Sequence, residues 1–421
     1  MNMEQPYAPA PAHRPHTDSQ PFAAVAKDTE CHMGEGGVRY AAASMQGWRD
    51  AMEDAHIICP RLADLPGHSF VAVFDGHGGA ACARFAAQTM PQLVEDTQEF
   101  RRYKLELKSR AHDGSSGGGD AGNSGLIEQA LRQAFIEYDN AVRRDPASAV
   151  VAGKVKFKTA SALKDPATAV VSGVSGCAAV CAVITPRFVA LAHAGDSRAI
   201  VCSGGSVVAA TKDHKPRSPH ESGRIIAGGG TDHKPSSPHE SGRIVAGGGT
   251  VEHERVDGRL AMSRALANFK YKNGGVAPGD EKVYWRRPDD ECLIMCCDGV
   301  WDVMTNQECH RCVAKSLVAS ASGAVQRGST SSSASSNSAG SSSSSSGGGG
   351  GGSAQPASPC ERVTKACTDL LDACLYKGSV DNMTAIVVTF GDGIAGSSGG
   401  SSGGGGGGSS AGSGGAGGPA Y

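Results

Sequence analysis

Apolar residues along this chain fall in short runs that end abruptly at turn formers. Residues 71–74, Val-Ala-Val-Phe, read as a buried strand that stops at Asp75-Gly76-His77-Gly78-Gly79, where glycines let backbone and side chains crowd without Cβ clashes. Residues 40–45 and the pair Ile57-Ile58 read as two further strands. The runs 177–185 and 188–194 are separated only by Pro186-Arg187, which predicts a hairpin and therefore antiparallel sheet. Strands are also expected at 199–202 and 207–210, on either side of Ser203-Gly204-Gly205, and at 292–297 and 384–390. Three- and four-residue apolar spacing predicts helices over 80–100, 126–142, 306–318 and 360–375. The second of these carries Ile127, Leu131, Phe135, Tyr138 and Val142 on one stripe.

Composition narrows the folded part. Of 421 residues 59 are glycine, about twice ordinary usage, and much of the excess lies in the Ser/Gly tracts 321–358 and 391–421. Such tracts carry too little side chain to offset their ordering entropy, so both are expected to be disordered, the first a linker and the second a tail. Residues 1–35 lack periodicity and read as a flexible leader. One catalytic-size domain is expected over 36–390, with insertions at about 111–124 and 144–170.

The net charge of −2, with acids and bases interspersed, points to neither nucleic acid nor an anionic membrane, and the expected state is a monomer. No signal peptide or transmembrane run is recognisable, and Met-Asn-Met lacks the glycine that myristoylation needs, so an intracellular location, cytoplasmic or nuclear, is expected. The 14 cysteines then read as thiols in a reducing compartment. Cys309-His310-Arg311-Cys312 is a C-x-x-C without a second ligand pair at zinc spacing, read as ordinary half-buried thiols on a helix in preference to a zinc or redox site.

Residues 213–231 and 232–250 align over 19 positions with two differences, Arg217 against Ser236 and Ile226 against Val245. Two copies of so short a period do not make a stacked repeat array; a local duplication is the better reading.

Candidate chemistry lies in the acids at strand ends. Asp75, Asp298 and Asp381 each sit at such a position in separate parts of the chain, and Glu53-Asp54 and Asp196 occupy similar corners. Taken singly each has a plain alternative: Asx-turn capping for Asp196, a surface ion pair for Arg49 with Glu53, a solvated turn for Glu53-Asp54. Together they suggest convergence. Carboxylates without a His or Cys set suit Mg²⁺ or Mn²⁺, not Zn²⁺.

The motifs RDAMEDAH at 49–56, DGHGG at 75–79, SGCAA at 175–179, AGDSR at 194–198, DHKP at 213–216, DGVWDVM at 298–304 and DNMT at 381–384 occur in the order of the metal-dependent type 2C (PPM) serine/threonine protein phosphatases, which the chain resembles over about 36–390. The resemblance implies an α+β fold, a central sandwich of two antiparallel sheets flanked by helices in four layers, α-β-β-α. It implies hydrolysis of phosphoserine and phosphothreonine in protein substrates by a metal-bridging water. Two Mg²⁺ or Mn²⁺ ions are implied, with a weaker third position. Asp75 would bridge the two metals, the Gly76 carbonyl would bind one of them, and Asp298 and Asp381 the other. Glu53 and Asp54 would support the cluster partly through water, and Asp196 with Asp298 would match the third position. Arg49 would grip the substrate phosphate and His77 would protonate the leaving oxygen. The duplicated segment would belong to a mobile flap beside the cleft.

Four residues depart from the family pattern: Ala178 stands for Thr, His193 for Asn, and Ala267-Asn268 for Gly-Asp. None is an implied metal ligand. They leave room for a second reading, an impaired pseudophosphatase that binds phosphoproteins.

Overall fold

Two antiparallel sheets lie face to face in this chain, whose computed structural model describes residues 25–113, 120–144, 175–215, 244–245, 248–253, 255–272, 279–321 and 357–391. In chain order the strands are β1 (Lys27–Met33), β2 (Arg39–Met45), β3 (Ala55–Cys59), β4 (Ser69–His77), β5 (Gly176–Ile184), β6 (Phe188–Ala194), β7 (Arg198–Ser203), β8 (Ser206–Ala210), β9 (Val251–Glu252), β10 (Arg255–Val256), β11 (Leu266–Ala267), β12 (Asp280–Trp285), β13 (Asp290–Cys296) and β14 (Met383–Thr389). The helices are α1 (Ala81–Asp96), α2 (Gln98–Asp113), α3 (Asp120–Arg144), α4 (Phe269–Lys272), α5 (Asp298–Trp301), α6 (Asn306–Ala321) and α7 (Pro359–Tyr376). One sheet has the order β1-β2-β14-β13-β7-β8 and the other β12-β6-β5-β4-β3, with β11 beside the start of β5.

Alternation explains why the strand sequences look uniformly apolar. Val71 and Val73 point between the sheets, against Val180, Ala182, Met295 and Ile386, while Phe70, Ala72 and Phe74 point outward under α1, α2 and α3. In the other sheet Ala41, Ala43, Ile294 and Val387 face α6 and α7. Both faces are covered, so the usual one-sided alternation of antiparallel strands disappears, and the expected α-β-β-α layering is present.

Several local expectations need correction. The supposed leader is structured from residue 25: β1 pairs along its whole length with β2, its polar sequence fitting an edge strand. The single helix expected at 80–100 is two, because Thr97 leaves the helical region and its hydroxyl accepts from Phe100 N at 3.1 Å, beginning α2. The polar α2 runs on to Asp113 and α3 begins at Asp120, so most of the expected 111–124 insertion that is described is helical. β12 falls in a stretch for which no element was expected. The remainder of the insertions, 216–243 of the duplication, 322–356 of the linker and 392–421 of the tail lie outside the described residues.

The reading of all cysteines as thiols also fails. Cys31 on β1 and Cys360 at the start of α7 form a disulfide, their Cα atoms 5.9 Å apart, and the other twelve are free. Edge strand and helix end meet at the span a disulfide needs. Cys309 is buried in the core and Cys312 half-buried, as expected of plain thiols. Among the described residues no helix is long and apolar enough to cross a membrane.

Candidate active site

The carboxylates gather at one end of the sandwich because adjacent strands and loops of the two sheets deliver them there. Asp75 ends the apolar part of β4, Asp196 lies in the turn from β6 to β7, Asp298 opens α5 directly after β13, and Asp381 precedes β14. One carboxylate oxygen from each of Asp75, Asp196 and Asp298 lies within 4.8 Å of the other two. Asp75 Oδ2 and Asp196 Oδ1 are buried without a hydrogen-bond partner.

Burial raises the proton affinity of Asp75 well above the usual carboxylate range, with the charges of Asp298, Asp54 and Asp196 adding to it. Burial, then Asp196, Asp302 and Asp381, does the same to Asp298. Crowded acids with orphaned oxygens are unfavourable unless a cation joins them. An all-oxygen set of this kind fits a hard divalent ion, Mg²⁺ or Mn²⁺.

The remaining acids take different places. Asp381 points to Arg49, whose Nη2 donates to its Oδ2 at 2.5 Å, so it stands outside the three-acid cluster. Glu53 Oε1 accepts from Gly79 N at 2.9 Å, which ties the acid to the glycine loop. Asp54 is buried behind the cleft wall, its Oδ2 accepting from Thr384 Oγ1 at 2.7 Å, and desolvation pushes its carboxyl up to about 6. Gly76 has to be glycine: an added Cβ would meet the Glu53 carbonyl oxygen at 2.3 Å.

A cleft of about 670 Å³ opens over this cluster, lined by Arg49, Glu53, Asp75, Gly76, His77, Asp196, Asp298 and Asp381. The lining also includes the basic residues Lys215, His253, Arg255 and Arg259. Lys215 reaches Asp302 at 3.1 Å and Asp196 at 3.6 Å.

Sequence reasoning passed over Asp302 and Asn382. Asp302 belongs to the quoted DGVWDVM motif, one helical turn after Asp298, a spacing that could have flagged it. Asn382 joins the loops: its Oδ1 accepts from Glu53 N at 2.8 Å and its Nδ2 donates to the carbonyls of Gln46 at 2.7 Å and Ala51 at 3.0 Å.

The departing residues are buried and do not line the cleft, but three of them touch or pair with residues close to it. Ala178 pairs with Asp75 across β4 and β5. His193 stacks on His214 with ring centroids 4.4 Å apart, and His214 Nδ1 accepts from Gly195 N at 3.2 Å, next to Asp196. His77 Nε2 donates to Asn268 Oδ1 at 2.7 Å. Burial draws the His77 imidazole below its usual range, with the Asn268 hydrogen bond acting the other way.

A four-layer sandwich with an acid-lined cleft at one end defines a class of protein, and the comparisons identify it. The Protein phosphatase 2C family model matches residues 38–231 and again 229–337, and the chain belongs to that family. It is 30% identical over 393 residues to the human "Probable protein phosphatase 1N", covering 91% of this chain and 65% of that one. It is also 30% identical over 369 residues to mouse "Protein phosphatase 1A", covering 85% and 72%. The crystal structure of serine-threonine phosphatase 2C from Toxoplasma gondii superposes with a TM-score of 0.54 at 18% identity, covering 86% of this chain and 99% of that one. The chain spans 60–65% of the length of the first three curated relatives it matches.

Proposed function

We infer that this chain is a metal-dependent phosphatase of phosphoserine and phosphothreonine in proteins. The observation that carries the reading is the cluster of Asp75, Asp196 and Asp298, buried, mutually repelling and partly without partners, at the floor of a cleft that also holds Arg49 and His77. In this reading Asp75, the Gly76 carbonyl, Asp298 and Asp381 would hold two Mg²⁺ or Mn²⁺ ions, Asp196 with Asp298 would serve a weaker third, and Glu53 and Asp54 would support them from behind. The ions, when bound, would supply an acidified water and positive charge for the transition state.

The chain's own groups do the rest. Arg49 is more than half exposed at the cleft mouth, and its planar fork suits two phosphate oxygens. Arg49 is now turned to Asp381, so a phosphate would take over donors that the carboxylate holds. Water attacks phosphorus in line as the bond to the Ser or Thr oxygen breaks. His77 passes its proton to that oxygen, so alcohol and inorganic phosphate leave. The relatives are named as protein phosphatases, which supports protein substrates. The pseudophosphatase reading finds no comparable support, since Asp75, Asp298 and Asp381 all line the cleft.

The test is turnover of a phosphoserine or phosphothreonine peptide with millimolar Mg²⁺ or Mn²⁺ and with excess chelator. Phosphate release only with metal is expected. Equal release in chelator would refute the metal reading, and no release with either ion would refute the phosphatase reading.

A further inference from the structure

Asn268 is buried, and its short side chain fills space left by a glycine on the neighbouring strand. Across the ladder β4–β5–β11, His77 lies opposite Gly176 and Gly176 opposite Ala267. The middle residue has no side chain, and Asn268 uses the space: a Cβ on Gly176 would sit 2.2 Å from Asn268 Oδ1. The turn that carries Asn268 is pinned on several sides. Asn268 N donates to Ser175 O at 2.9 Å, its carbonyl accepts from Tyr271 N at 2.9 Å, and Ala267 N donates to Asp139 Oδ1 of α3 at 2.7 Å. Asp139 also pairs with Lys272 at the end of the turn. Ala267 and Asn268 both have left-handed backbone, φ +55° and +49°, a conformation that asparagine tolerates better than most residues. Asn268 is therefore fully buried and fixed before any substrate arrives.

On the β4 side its amide oxygen meets His77. Nε2 of that ring is engaged, and Nδ1 is buried with no partner. We propose that Asn268 is the positioning residue of His77: its amide oxygen holds the Nε2–H, so that Nδ1, bare at rest, is the ring nitrogen left to take up a proton from water and pass it to the leaving oxygen. The proposal rests on the phosphatase reading for the proton's destination, and on geometry alone for the tautomer. An amide accepts the Nε2–H whether or not Nδ1 is protonated, and it does so without adding a negative charge to a cleft that already holds several carboxylates. Where the family pattern has an aspartate, this chain keeps the acceptor and drops the charge.

The experiment has two arms. The first reads the ring nitrogens of ¹⁵N-histidine-labelled protein by NMR, with His77→Gln giving the assignment. The expected spectrum has Nε2 protonated and Nδ1 bare; a His77 protonated at Nδ1 alone overturns the proposal, whatever the activity. The second arm compares kcat and KM on a phosphoserine peptide and on p-nitrophenyl phosphate for Asn268→Ala, Asn268→Asp, Gly176→Ala and His77→Gln, and for Asn268→Ala combined with His77→Gln. Asn268→Ala is expected to lower kcat on the peptide about tenfold, roughly the worth of one hydrogen bond, with KM little changed. The loss on p-nitrophenyl phosphate should be much smaller, because its leaving group is already a stable anion. Gly176→Ala should mimic Asn268→Ala by displacing the amide, and Asn268→Asp should recover part of the lost kcat by restoring an acceptor. In the His77→Gln background Asn268→Ala should add no further loss. Equal losses on both substrates, or an additive loss in the double variant, would show a merely structural role. A wild type inactive on both substrates sinks the phosphatase reading while the NMR arm still decides the tautomer.

Discussion

Gly299 separates two of the loops that build the cleft, and its replacement by alanine should damage stability and turnover together. It follows Asp298 and packs on the residue that follows Asp381: a Cβ there would lie 2.1 Å from the Asn382 carbonyl oxygen and 3.1 Å from Met383 Cγ, whereas ordinary contact begins near 3.4 Å. The obstacle is backbone, and neither side yields easily. Ser379 Oγ donates to Gly299 O at 2.7 Å, and Cys297 N donates to Thr384 O at 3.2 Å. Relief therefore requires the Asp298 turn to withdraw from the Asp381 loop by about 1 Å.

Over-packing of this kind costs about 1–3 kcal/mol. For a domain of this size that is a fall in Tm of roughly 2–12 °C, at about 2–4 °C per kcal/mol. The effect on turnover should be larger, since misplacing catalytic groups by about 1 Å can cost about 10²-fold. Calorimetry in chelator and phosphopeptide kinetics in Mn²⁺ read the two effects separately. Gly125→Ala supplies the control, because nothing lies within 4 Å of the added Cβ and the site is inside α3, where alanine should gain about 0.5–1 kcal/mol. Wild-type Tm and kcat in Gly299→Ala would show that the two loops do not touch as described, and the reasoning would fall.

Asp75→Asn should abolish turnover yet raise the Tm of metal-free protein, because it removes a charge repelled by Asp298, Asp54 and Asp196; an unchanged or lower Tm in chelator would contradict the crowding argument. Glu30 should shape the acid limb of the stability curve. Burial opposes its ionisation, but hydrogen bonds from His32 at 3.2 Å and His56 at 3.1 Å win and hold its carboxyl down to about 2, against 4.5 unperturbed. A carboxyl lowered in the folded state stabilises fully above its unfolded value and loses that contribution as pH falls through the folded one. Stability should therefore drop between pH 4.5 and 2 by at most about 3 kcal/mol, and Glu30→Gln should flatten that drop in denaturant titrations. Deleting residues 213–231 should leave Tm and p-nitrophenyl phosphate turnover near wild type, since Asp232-His233-Lys234 repeats the sequence it would replace; an unfolded deletion variant would show that the first copy is indispensable.

What the sequence disclosed tracks what burial writes into it. Strands covered on both faces, such as β4, β5 and β6, are unbroken apolar runs with sharp ends, and an acid placed at such an end stands out. Asp75, Asp196 and Asp298 were legible for that reason. β1 was not: as an edge strand it is largely exposed on one side, and Lys27–Met33 carries no alternation to read. The polar helix α2 was lost in the same way, packing through few residues such as Phe100 and Tyr103. Asp381 stands at a strand end like Asp75 and Asp298, but position along a strand does not say where a carboxylate points, and here it accepts from Arg49. The Cys31–Cys360 pair is separated by 329 residues, and only the meeting of β1 with α7 singles it out among 14 cysteines.

The duplication is absorbed in a way that explains why it leaves the core intact. The described start of the first copy makes the contacts that hold the Asp196 turn: Asp213 pairs with Arg198 at 2.7 Å, His214 with Asp280 at 3.1 Å, and Lys215 reaches Asp196 and Asp302. Arg198 in turn bonds Asn306 and lies over the Trp301 ring, which links that turn to α5 and α6. The described end of the second copy makes a different set. Ile244 is buried with Val256, Leu260, Met262 and Tyr271 under Ala178, and Gly249 N donates to Ile244 O at 3.0 Å on the way into β9. One copy thus supplies the entrance and the other the exit, and the family match breaks at the same place, its first stretch ending at 231 and its second beginning at 229. Because the copies differ at only two positions, entrance and exit together have the sequence of a single unit. The duplication adds 19 residues between these two junctions, and doubling the length of a loop costs only about 0.6 kcal/mol. Neither described junction carries one of the clustered acids Asp75, Asp196 and Asp298, so the duplication leaves that cluster as it is.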